Sequence, residues 1–356
     1  MPTPRWMIYG ATGYTGRLVV AEAVARGATP ILAGRGREEV AALAGEHGLE
    51  HRVFGLADSV VLRRGLLDVT AVLHCAGPFA WTSRPLVDAC LATGTHYLDI
   101  TGEIDVFEAI HGRDAEARAA RAVLLPGVGF DVVPTDCLAA RLASEVPRPE
   151  RLELAFHAAG GGVSRGTMRS MVERLPKAGA VRRGGRLEPV PFAWETREIE
   201  FGCGRRWTMT IPWGDVSTAY FSTGIPDVKV FAGVSPAGIA RARRLRRLAP
   251  IAGLTPIKRT LQWVIGRRVT GPDAAARAAG RCYLWGRVEN ARGRGATATF
   301  DTPEGYTLTA TAAVDAALRV AAGEVGNGAK TPSLAFGAGY VEGLPGVSKI
   351  VVAHDG

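Results

Sequence analysis

Short apolar runs alternate with longer amphipathic segments over residues 5–127. An apolar run bounded by turn residues is typical of a buried strand, whereas apolar positions at about 3.6-residue spacing indicate a helix. Strands that alternate with helices predict right-handed crossovers and a parallel sheet, so we expect an α/β domain over residues 1–135. The expected strands are residues 6–9, 30–33, 51–56, 71–75, 96–100 and 122–125. The expected helices between them include residues 85–92 and one long helix over residues 105–121.

The second part of the chain has a different pattern, in which strand-like stretches dominate from about residue 150. They are residues 151–156, 197–211, 281–289, 296–300 and 306–311. This succession predicts an α+β domain over residues 136–310, built on a mainly antiparallel sheet. Residues 311–323 then have the periodicity of a helix that Gly323 closes, and residues 334–342 indicate a last helix.

The clearest chemical motif is a glycine-rich run between the first strand and the first helix, residues 10–16. In such a run Gly10 permits the tight turn out of the strand, Gly13 lets a pyrophosphate approach the main chain, and Gly16 lets the helix pack close to the sheet. The N-terminus of the helix offers N–H groups and a positive dipole end to the anion. We therefore predict a Rossmann domain, a doubly wound parallel sheet, in which a dinucleotide contacts Gly10, Thr12, Gly13, Tyr14, Thr15 and Gly16.

The residues that follow the second strand distinguish between the two nicotinamide coenzymes. An enzyme specific for NAD usually places Asp or Glu there to bind the ribose 2′-hydroxyl. This sequence has no acid over residues 32–37 and has Arg35 and Arg37 instead. A guanidinium pairs with the 2′-phosphate of NADP and stacks on its adenine. The sequence therefore predicts NADP as the cofactor, bound by Arg35 and Arg37.

A run of mostly small residues follows the fourth strand. In a doubly wound sheet, ligands bind beyond the carboxyl ends of the strands, and small side chains there let the nicotinamide ribose approach. For Phe79, packing in the core is an equally open interpretation. The further cofactor contacts expected here are Cys75, Ala76, Gly77, Pro78 and Phe79.

Composition narrows the class of protein without identifying a substrate. A chain of 356 residues with 47% apolar and 22% charged residues suits two globular domains. Five dispersed cysteines, with no HExxH or paired-His motif, argue against a disulfide framework or a zinc site, so we expect no metal. The N-terminal residues lack the pattern of a secretory signal, and no apolar run reaches the roughly 20 residues of a membrane span. A cytoplasmic protein is expected.

Four runs together resemble the saccharopine dehydrogenase-like family, namely residues 75–79, 87–90, 96–103 and 126–136. The last of them is similar to a GFDxxPxD signature in the branch that includes trans-acting enoyl reductases of lipid and polyketide pathways. The resemblance implies hydride transfer with NADP(H), a mixed β substrate domain and a homodimer. It also implies that the C-terminal segment, residues 311–356, returns to pack on the Rossmann domain.

Residues 160–167 are similar to a Gly/Ser/Thr loop of the same branch, with Arg165 at a position where glycine is common. An incidental glycine-rich turn is the alternative interpretation. The expected contacts with a small-molecule substrate are Phe130, Ser164, Arg165 and Thr167.

Hydride transfer requires a positioned coenzyme and often a proton donor. No tyrosine is followed by Lys four residues later, which excludes the dyad of short-chain dehydrogenases. The candidate catalytic acids are Glu103, after the fifth strand, and Asp131, after the sixth, because both lie at carboxyl ends of strands. A partly buried carboxyl group there has a raised pKa and can donate a proton. The alternative is that each carboxylate caps a helix.

Residues 228–272 contain ten Lys or Arg and neither Asp nor Glu. Three interpretations of the stretch 237–268 stay open: a solvated basic helix face, a docking surface for an acidic acyl carrier protein, or peripheral contact with an anionic membrane. The stretch lacks the interleaved aromatic residues of a nucleic-acid stacking platform, so no nucleic-acid partner is expected.

The leading hypothesis is a reductase that uses NADPH to reduce a conjugated C=C bond of a lipid, polyketide or other secondary-metabolite intermediate. A first alternative is a saccharopine-type reductase that acts on the C=N bond of an amino-acid-derived imine. Such a substrate carries several carboxylates, for which Arg165, Arg169 and Arg174 are candidate ligands. A second alternative is a non-catalytic NADP-binding scaffold or sensor.

Overall fold

The computed structural model describes residues 4–160, 162, 164–166, 168, 172, 179–246, 257, 260–261, 263–265 and 270–355. The chain forms two compact units. The first unit contains the described residues up to Val133 together with Tyr306–Phe336. The second contains those of Pro134–Gly305 and those from Gly337 onwards.

The first unit is built on a seven-stranded sheet in which neighbouring strands are parallel. With strands numbered along the whole chain, these are β1 (Trp6–Tyr9), β2 (Ile31–Gly34), β3 (His51–Val53), β4 (Ala71–His74), β5 (His96–Asp99), β6 (Val123–Leu125) and β15 (Gly328–Ala329). Their order is β15-β6-β5-β4-β1-β2-β3, so the winding direction reverses between β1 and β4. Doubly wound sheets bind their ligands at such a switch point. The predicted Rossmann-type sheet is confirmed.

Helices cover both faces of this sheet. They are α1 (Tyr14–Ala25), α2 (Arg37–His47), α3 (Ser59–Leu66), α4 (Phe79–Thr93), α5 (Ile104–His111), α6 (Asp114–Ala119), α11 (Gly305–Ala321) and α12 (Pro332–Phe336). Side chains of a strand alternate between the two faces. Trp6 and Ile8 of β1 therefore pack with α1, α2 and α11, whereas Met7 and Tyr9 pack with the helices from α3 to α6.

Several elements differ from the sequence prediction. Residues 306–311 were expected as a strand but form the start of α11, and the last helix, expected over residues 334–342, is replaced by α12 and a separate 3₁₀ turn at Tyr340–Gly343.

Two other helices of the first unit also differ. The long helix expected over residues 105–121 is divided into α5 and α6, with Gly112 as the C-cap of α5. Glycine has a low helix propensity, which favours a break there. The helix expected over residues 85–92 begins already at Phe79 and includes Pro85. Its start is fixed by a carboxylate distant in sequence, described below, which no local pattern reveals.

The second unit contains a mixed sheet of nine strands among its described residues. They are β7 (Pro149–Ala159), β8 (Gly179–Arg183), β9 (Arg186–Val190), β10 (Thr196–Phe201), β11 (Gly204–Thr210), β12 (Asp227–Gly233), β13 (Arg281–Asn290), β14 (Gly295–Pro303) and β16 (Val351–His354). The β7–β12 pair is parallel, and the other pairs are antiparallel. The expected α+β unit with a mainly antiparallel sheet is therefore confirmed.

Helix α7 of the second unit packs closely on the sheet. The helices are α7 (Val133–Glu145), α8 (Asp215–Thr223), α9 (Pro236–Arg246) and α10 (Ala274–Ala279), with a 3₁₀ turn at Tyr340–Gly343. A Cβ added to Gly286 of β13 would lie 2.6 Å from Cδ1 of Leu142 in α7. The missing side chain of Gly286 thus lets α7 approach the centre of the sheet.

The C-terminal residues divide between the two units. The prediction placed all of residues 311–356 with the first domain. In the structure, Tyr306–Phe336 joins the first unit, whereas the residues from Gly337 join the second. The reason is backbone pairing, because Val351–His354 adds to the second sheet as an antiparallel neighbour of β14. An edge strand of four residues carries too little pattern for a sequence prediction.

The buried face of α11 yields a stability prediction. Val314 is fully buried against the first sheet, whereas Val60 of α3 is 49% exposed. Val314→Ala removes two buried methyl groups and leaves a cavity, so we expect a loss of about 2 kcal/mol in the free energy of unfolding. The matched change Val60→Ala is expected to alter it by less than about 0.5 kcal/mol. Denaturant unfolding of both variants measures this, and equal effects would contradict the packing of α11.

Candidate functional site

The loop between β1 and α1 is shaped by glycines that leave no room for a side chain. Gly10 has a φ of +86°, and a Cβ added there would lie 2.8 Å from the amide nitrogen of Ala76. A Cβ on Gly16 would lie 2.2 Å from the carbonyl oxygen of Gly10. The chain therefore turns sharply out of β1, and α1 begins immediately over the turn.

The N-terminus of α1 has no capping side chain among the described residues. Gly13 is the N-cap residue, is exposed and has an extended conformation. The helix dipole and the N–H groups of the first turn favour an anion at such a place. Thr12, Tyr14 and Thr15 lie half-buried around it. The geometry fits the diphosphate of a dinucleotide.

The start of α11 also reaches this loop, which sequence reasoning missed. The ring of Tyr306 lies edge-on to that of Tyr14, with 5.1 Å between ring centroids. The contact joins residues almost three hundred positions apart, so only the fold reveals it. It fixes the side chain of Tyr14 beside the helix N-terminus.

Arg35 and Arg37 lie at the carboxyl end of β2, as predicted from the sequence. Arg35 follows the strand directly, Arg37 opens α2, and both side chains are exposed. Within the described part of the chain, neither guanidinium takes part in a hydrogen bond or an ion pair. The positive charge of Arg35 also acts on Tyr9 at the end of β1. Burial raises the pKa of Tyr9 to about 12, and the charge of Arg35 opposes this rise. Two available guanidinium groups suit a ribose 2′-phosphate.

The loop after β4 contacts the glycine turn through Ala76. Cys75 donates its amide hydrogen to the Tyr9 carbonyl at 2.8 Å, which extends the β1–β4 pairing to the loop. Ala76 abuts Gly10, and Gly77 is exposed. Phe79 is buried in the core and lies edge-on to the His74 ring, with 5.1 Å between centroids. Of the interpretations left open for Phe79, the structure supports core packing.

Glu103 holds the start of α4. Its Oε1 accepts a hydrogen bond from the Phe79 amide at 3.0 Å, and its Oε2 accepts one from the Ala80 amide at 2.9 Å. The carboxylate thus pairs with two N–H groups of a helix N-terminus, a position that the helix dipole favours. The sequence analysis left open that Glu103 caps a helix. The structure agrees with that interpretation, although the helix is α4 and not the one that follows Glu103 in the sequence.

Asp131 lies on the loop after β6, next to the loop after β5. A Cβ added to Gly102 would lie 2.4 Å from Oδ2 of Asp131. The fold therefore brings the Asp131 carboxyl group close to Gly102 and places it two residues before α7. Phe130 is half-buried, and its amide donates to Oγ1 of Thr309 in α11 at 3.0 Å.

Sequence reasoning missed three buried polar residues in β4 and β5. His74, Tyr97 and Asp99 are each 0% exposed. Nδ1 of His74 lies 3.0 Å from the Tyr97 hydroxyl, which lies 2.8 Å from Oδ2 of Asp99. Nε2 of His74 lies 3.2 Å from the Ala76 carbonyl oxygen. Polar residues inside otherwise apolar strands were the available signal, since a buried polar group needs a partner.

The predicted substrate residues do not all fall in the described structure. Ser164 is buried and Arg165 is exposed, and both belong to the second unit. Thr167, Arg169 and Arg174 lie outside the described residues, as does much of the basic stretch 237–268.

Within the described residues, no group of three or more potential ligands could hold a metal ion. In that same part, no helix combines the length and the apolar character of a membrane span.

Part of the first unit is similar to known proteins. Residues 6–125 match the family model "Saccharopine dehydrogenase NADP binding domain". A saccharopine dehydrogenase-like oxidoreductase of Bos taurus is 30% identical over 151 residues, which cover 36% of this chain and 35% of that protein. A trans-acting enoyl reductase of Mycobacterium leprae is 34% identical over 143 residues, which cover 36% and 33%. The matches thus span about a third of each relative's length.

One solved structure resembles the whole chain. It is apo saccharopine dehydrogenase (L-Glu forming) from Saccharomyces cerevisiae, which aligns with a TM-score of 0.66 over 99% of this chain and 100% of that chain. At 11% identity the likeness shows a shared fold. The family model concerns an NADP binding domain, so the cofactor predicted from Arg35, Arg37 and the glycine loop is confirmed.

The exposed arginine after β2 gives a test of coenzyme choice. Arg35→Asp removes a donor to the 2′-phosphate and adds a repelling charge. Since hydrogen bonds to charged groups contribute about 1.5–3 kcal/mol, we expect the preference for NADPH over NADH to fall at least about tenfold. Arg63→Asp in α3 makes the same charge change at another exposed position. Dissociation constants for both coenzymes measure the effect, and an unchanged preference in Arg35→Asp would show that Arg35 does not contact the phosphate.

Proposed function

Because residues 6–125 match the family model of the saccharopine dehydrogenase NADP binding domain, we propose that the chain is an NADPH-dependent reductase. Its substrate is a conjugated C=C bond in a lipid, polyketide or other secondary-metabolite intermediate. The observation that carries the proposal is the glycine loop at residues 10–16, in which Gly10 and Gly16 leave no room for a side chain, with Arg35 and Arg37 unpaired among the described residues at the neighbouring strand end. The saccharopine dehydrogenase-like relative and the trans-acting enoyl reductase are both oxidoreductases, which supports the same class of reaction.

The residues of the first unit divide the work of holding the coenzyme. Gly13 and the start of α1 receive the diphosphate, Arg35 and Arg37 bind the 2′-phosphate, and the loop from Cys75 to Pro78 borders the nicotinamide ribose. Bound NADPH supplies the hydride. Reduction of the enoyl group would then require one proton from the protein, so that hydride and proton together would saturate the double bond.

Proton delivery in this scheme falls to Asp131 and not to Glu103. Both carboxylate oxygens of Glu103 accept main-chain hydrogen bonds, and a proton on either oxygen would compete with one of them. Asp131 is half-buried on the loop after β6, at the carboxyl edge of the sheet. Asp131 is therefore the candidate proton donor, and Glu103 positions the start of α4.

The charges at this edge favour an enoyl substrate over an amino-acid-derived imine. The loops after β4, β5 and β6, residues 75–79, 100–103 and 126–131, contain Glu103 and Asp131 but neither Lys nor Arg. Two carboxylates repel an imine that carries several carboxylates of its own, whereas a neutral enoyl thioester meets no such repulsion. The trans-acting enoyl reductase among the relatives supports the same choice.

Two further expectations accompany this proposal. The first is a cytoplasmic location, because all five cysteines are free thiols, as is usual for proteins of the reducing cytoplasm. Arg241, Arg243 and Arg244 project from α9 as part of the basic stretch, and an acidic acyl carrier protein that delivers the enoyl group is the partner we propose for it.

Turnover with defined substrates tests the proposed function. We expect the purified protein to oxidise NADPH in the presence of a 2-enoyl thioester and to form the saturated thioester. A mixture of an amino acid and a 2-oxo acid, which forms an imine, is expected to give at least about a hundredfold slower turnover, since the loss of complementary charge contacts costs several kcal/mol.

A matched control separates coenzyme-dependent turnover from background. Gly13→Asp places a carboxylate where the diphosphate lies, yet Asp is a favoured N-cap residue, so α1 is expected to stay folded. This variant should lose NADPH binding and turnover together. Faster reduction of the imine would favour saccharopine-type chemistry, and NADPH binding without turnover of either substrate would favour a non-catalytic role.

A further inference from the structure

The chain of contacts from the Ala76 carbonyl to Asp99 lacks one hydrogen when His74 and Tyr97 are neutral and Asp99 is ionised. Three contacts join Ala76 O, the His74 ring, the Tyr97 hydroxyl and Asp99 Oδ2, and each needs one hydrogen. A neutral imidazole supplies one and the phenol supplies another. The carbonyl and an ionised carboxylate supply none. The third hydrogen must therefore be an added proton, carried either by Asp99 or by His74.

The other oxygen of Asp99 has two fixed partners. Oδ1 accepts hydrogen bonds from the amides of Thr101 at 3.0 Å and Gly127 at 2.9 Å. Only Oδ2, which faces Tyr97, is available to carry a proton. With that proton present, every contact in the chain is satisfied, as buried polar groups require.

We propose that His74, Tyr97 and Asp99 are positioning residues of the coenzyme loop, which share one added proton and release the Ala76 carbonyl when that proton leaves. When Asp99 is protonated, it donates to Tyr97, Tyr97 donates to Nδ1 of His74, and Nε2–H of His74 donates to Ala76. When Asp99 is ionised, Tyr97 donates to Asp99 instead. His74 then carries its hydrogen on Nδ1, and a lone pair of Nε2 faces the carbonyl.

The surroundings place the proton on Asp99. Burial raises the pKa of Asp99 to about 6, although hydrogen bonds from Thr101, Gly127 and Tyr97 oppose this, and the nearby Glu103 adds to it. Burial lowers the pKa of His74 to about 3, so the ring is neutral. The other titratable groups around these contacts are the thiols of Cys75, toward Asp99, and Cys90, toward Tyr97, and the phenol of Tyr9, whose ring lies edge-on to that of His74. Burial raises the pKa of all three, so they stay neutral.

The sign of the effect follows from the raised pKa of Asp99. Below a pH of about 6 the proton is bound and His74 holds the Ala76 carbonyl. Above it the His74 contact is lost. Thr82 Oγ1 lies 2.8 Å from Ala76 O and 3.0 Å from Pro78 O, and its single hydrogen serves one of them at a time. Without the hydrogen bond from His74, the Ala76 carbonyl therefore depends on the Thr82 hydroxyl, whose hydrogen it shares with the Pro78 carbonyl.

Ala76 transmits this change to the coenzyme site because it abuts the glycine turn. The space where a Cβ on Gly10 would lie is filled by the main chain and side chain of Ala76, both at 2.8 Å. A displaced Ala76 alters one wall of the loop that receives the diphosphate. This part of the inference rests on the proposed coenzyme site, whereas the proton count does not.

The tautomer of His74 tests the chain directly, without coenzyme. Nitrogen NMR of protein labelled with ¹⁵N-histidine, with His74 assigned through His74→Gln, reports which ring nitrogen carries hydrogen. In the wild type we expect hydrogen on Nε2 at about pH 5 and on Nδ1 at about pH 8. Asp99→Asn, whose amide donates to Tyr97 as the protonated acid does, should keep it on Nε2 at both.

Tyr97→Phe is the matched second variant, because it cuts the chain and leaves Asp99 in place. Nδ1 of His74 then has no partner in the chain, so hydrogen should stay on Nε2, toward Ala76, at both pH values. A wild-type tautomer that does not change with pH, or a Tyr97→Phe protein that still switches, would overturn the proposal.

Coenzyme affinity tests the positioning role. We compare NADPH dissociation constants of the wild type and Asp99→Asn at the same pH, so that titration of the 2′-phosphate affects both equally. At about pH 8 we expect Asp99→Asn to bind about fivefold more tightly, the effect of one hydrogen bond, and at about pH 5 equally. Equal affinities at both pH values would overturn the positioning role. A wild type that binds no NADPH at all would contradict the proposed function, and the histidine spectra would still decide the proton chain.

Discussion

The approach of α1 to the turn that leaves β1 is the contact on which the rest of the first unit depends. A Cβ on Gly16 would lie 2.2 Å from the Gly10 carbonyl oxygen, so only glycine lets the helix begin there. Gly10 in turn needs its positive φ and has Ala76 where a side chain would be. The result is a helix N-terminus at the carboxyl edge of the sheet that no side chain of the described residues caps, which is where a doubly wound fold receives an anion.

The neighbouring loops are tied to that edge by carboxylates. Glu103 fixes the start of α4 through two amides, and Asp99 joins the loops after β5 and β6 through the amides of Thr101 and Gly127. These bonds cross between segments far apart in sequence. They make the floor of the coenzyme site one hydrogen-bonded unit, in which the charge of a buried carboxylate and the position of a main-chain carbonyl are coupled.

How much the sequence predicts depends on whether the determining contacts are local. The first six strands of the first sheet, the glycine loop and the two arginines after β2 are local signals, and the structure has each of them where it was expected. The two-residue strand β15 was missed. The start of α4 depends on Glu103 and the setting of Tyr14 depends on Tyr306, both distant in sequence. The contacts among His74, Tyr97 and Asp99 join two neighbouring strands, β4 and β5, so no single segment reveals them.

The most direct measurement of the central claim is amide hydrogen exchange of the purified protein with and without saturating NADPH. A diphosphate that rests on the main chain of residues 10–16 should slow exchange in this loop and in the first turn of α1, while amides of the second sheet change less. Unchanged exchange at residues 10–16 under conditions where NADPH is bound would contradict the account.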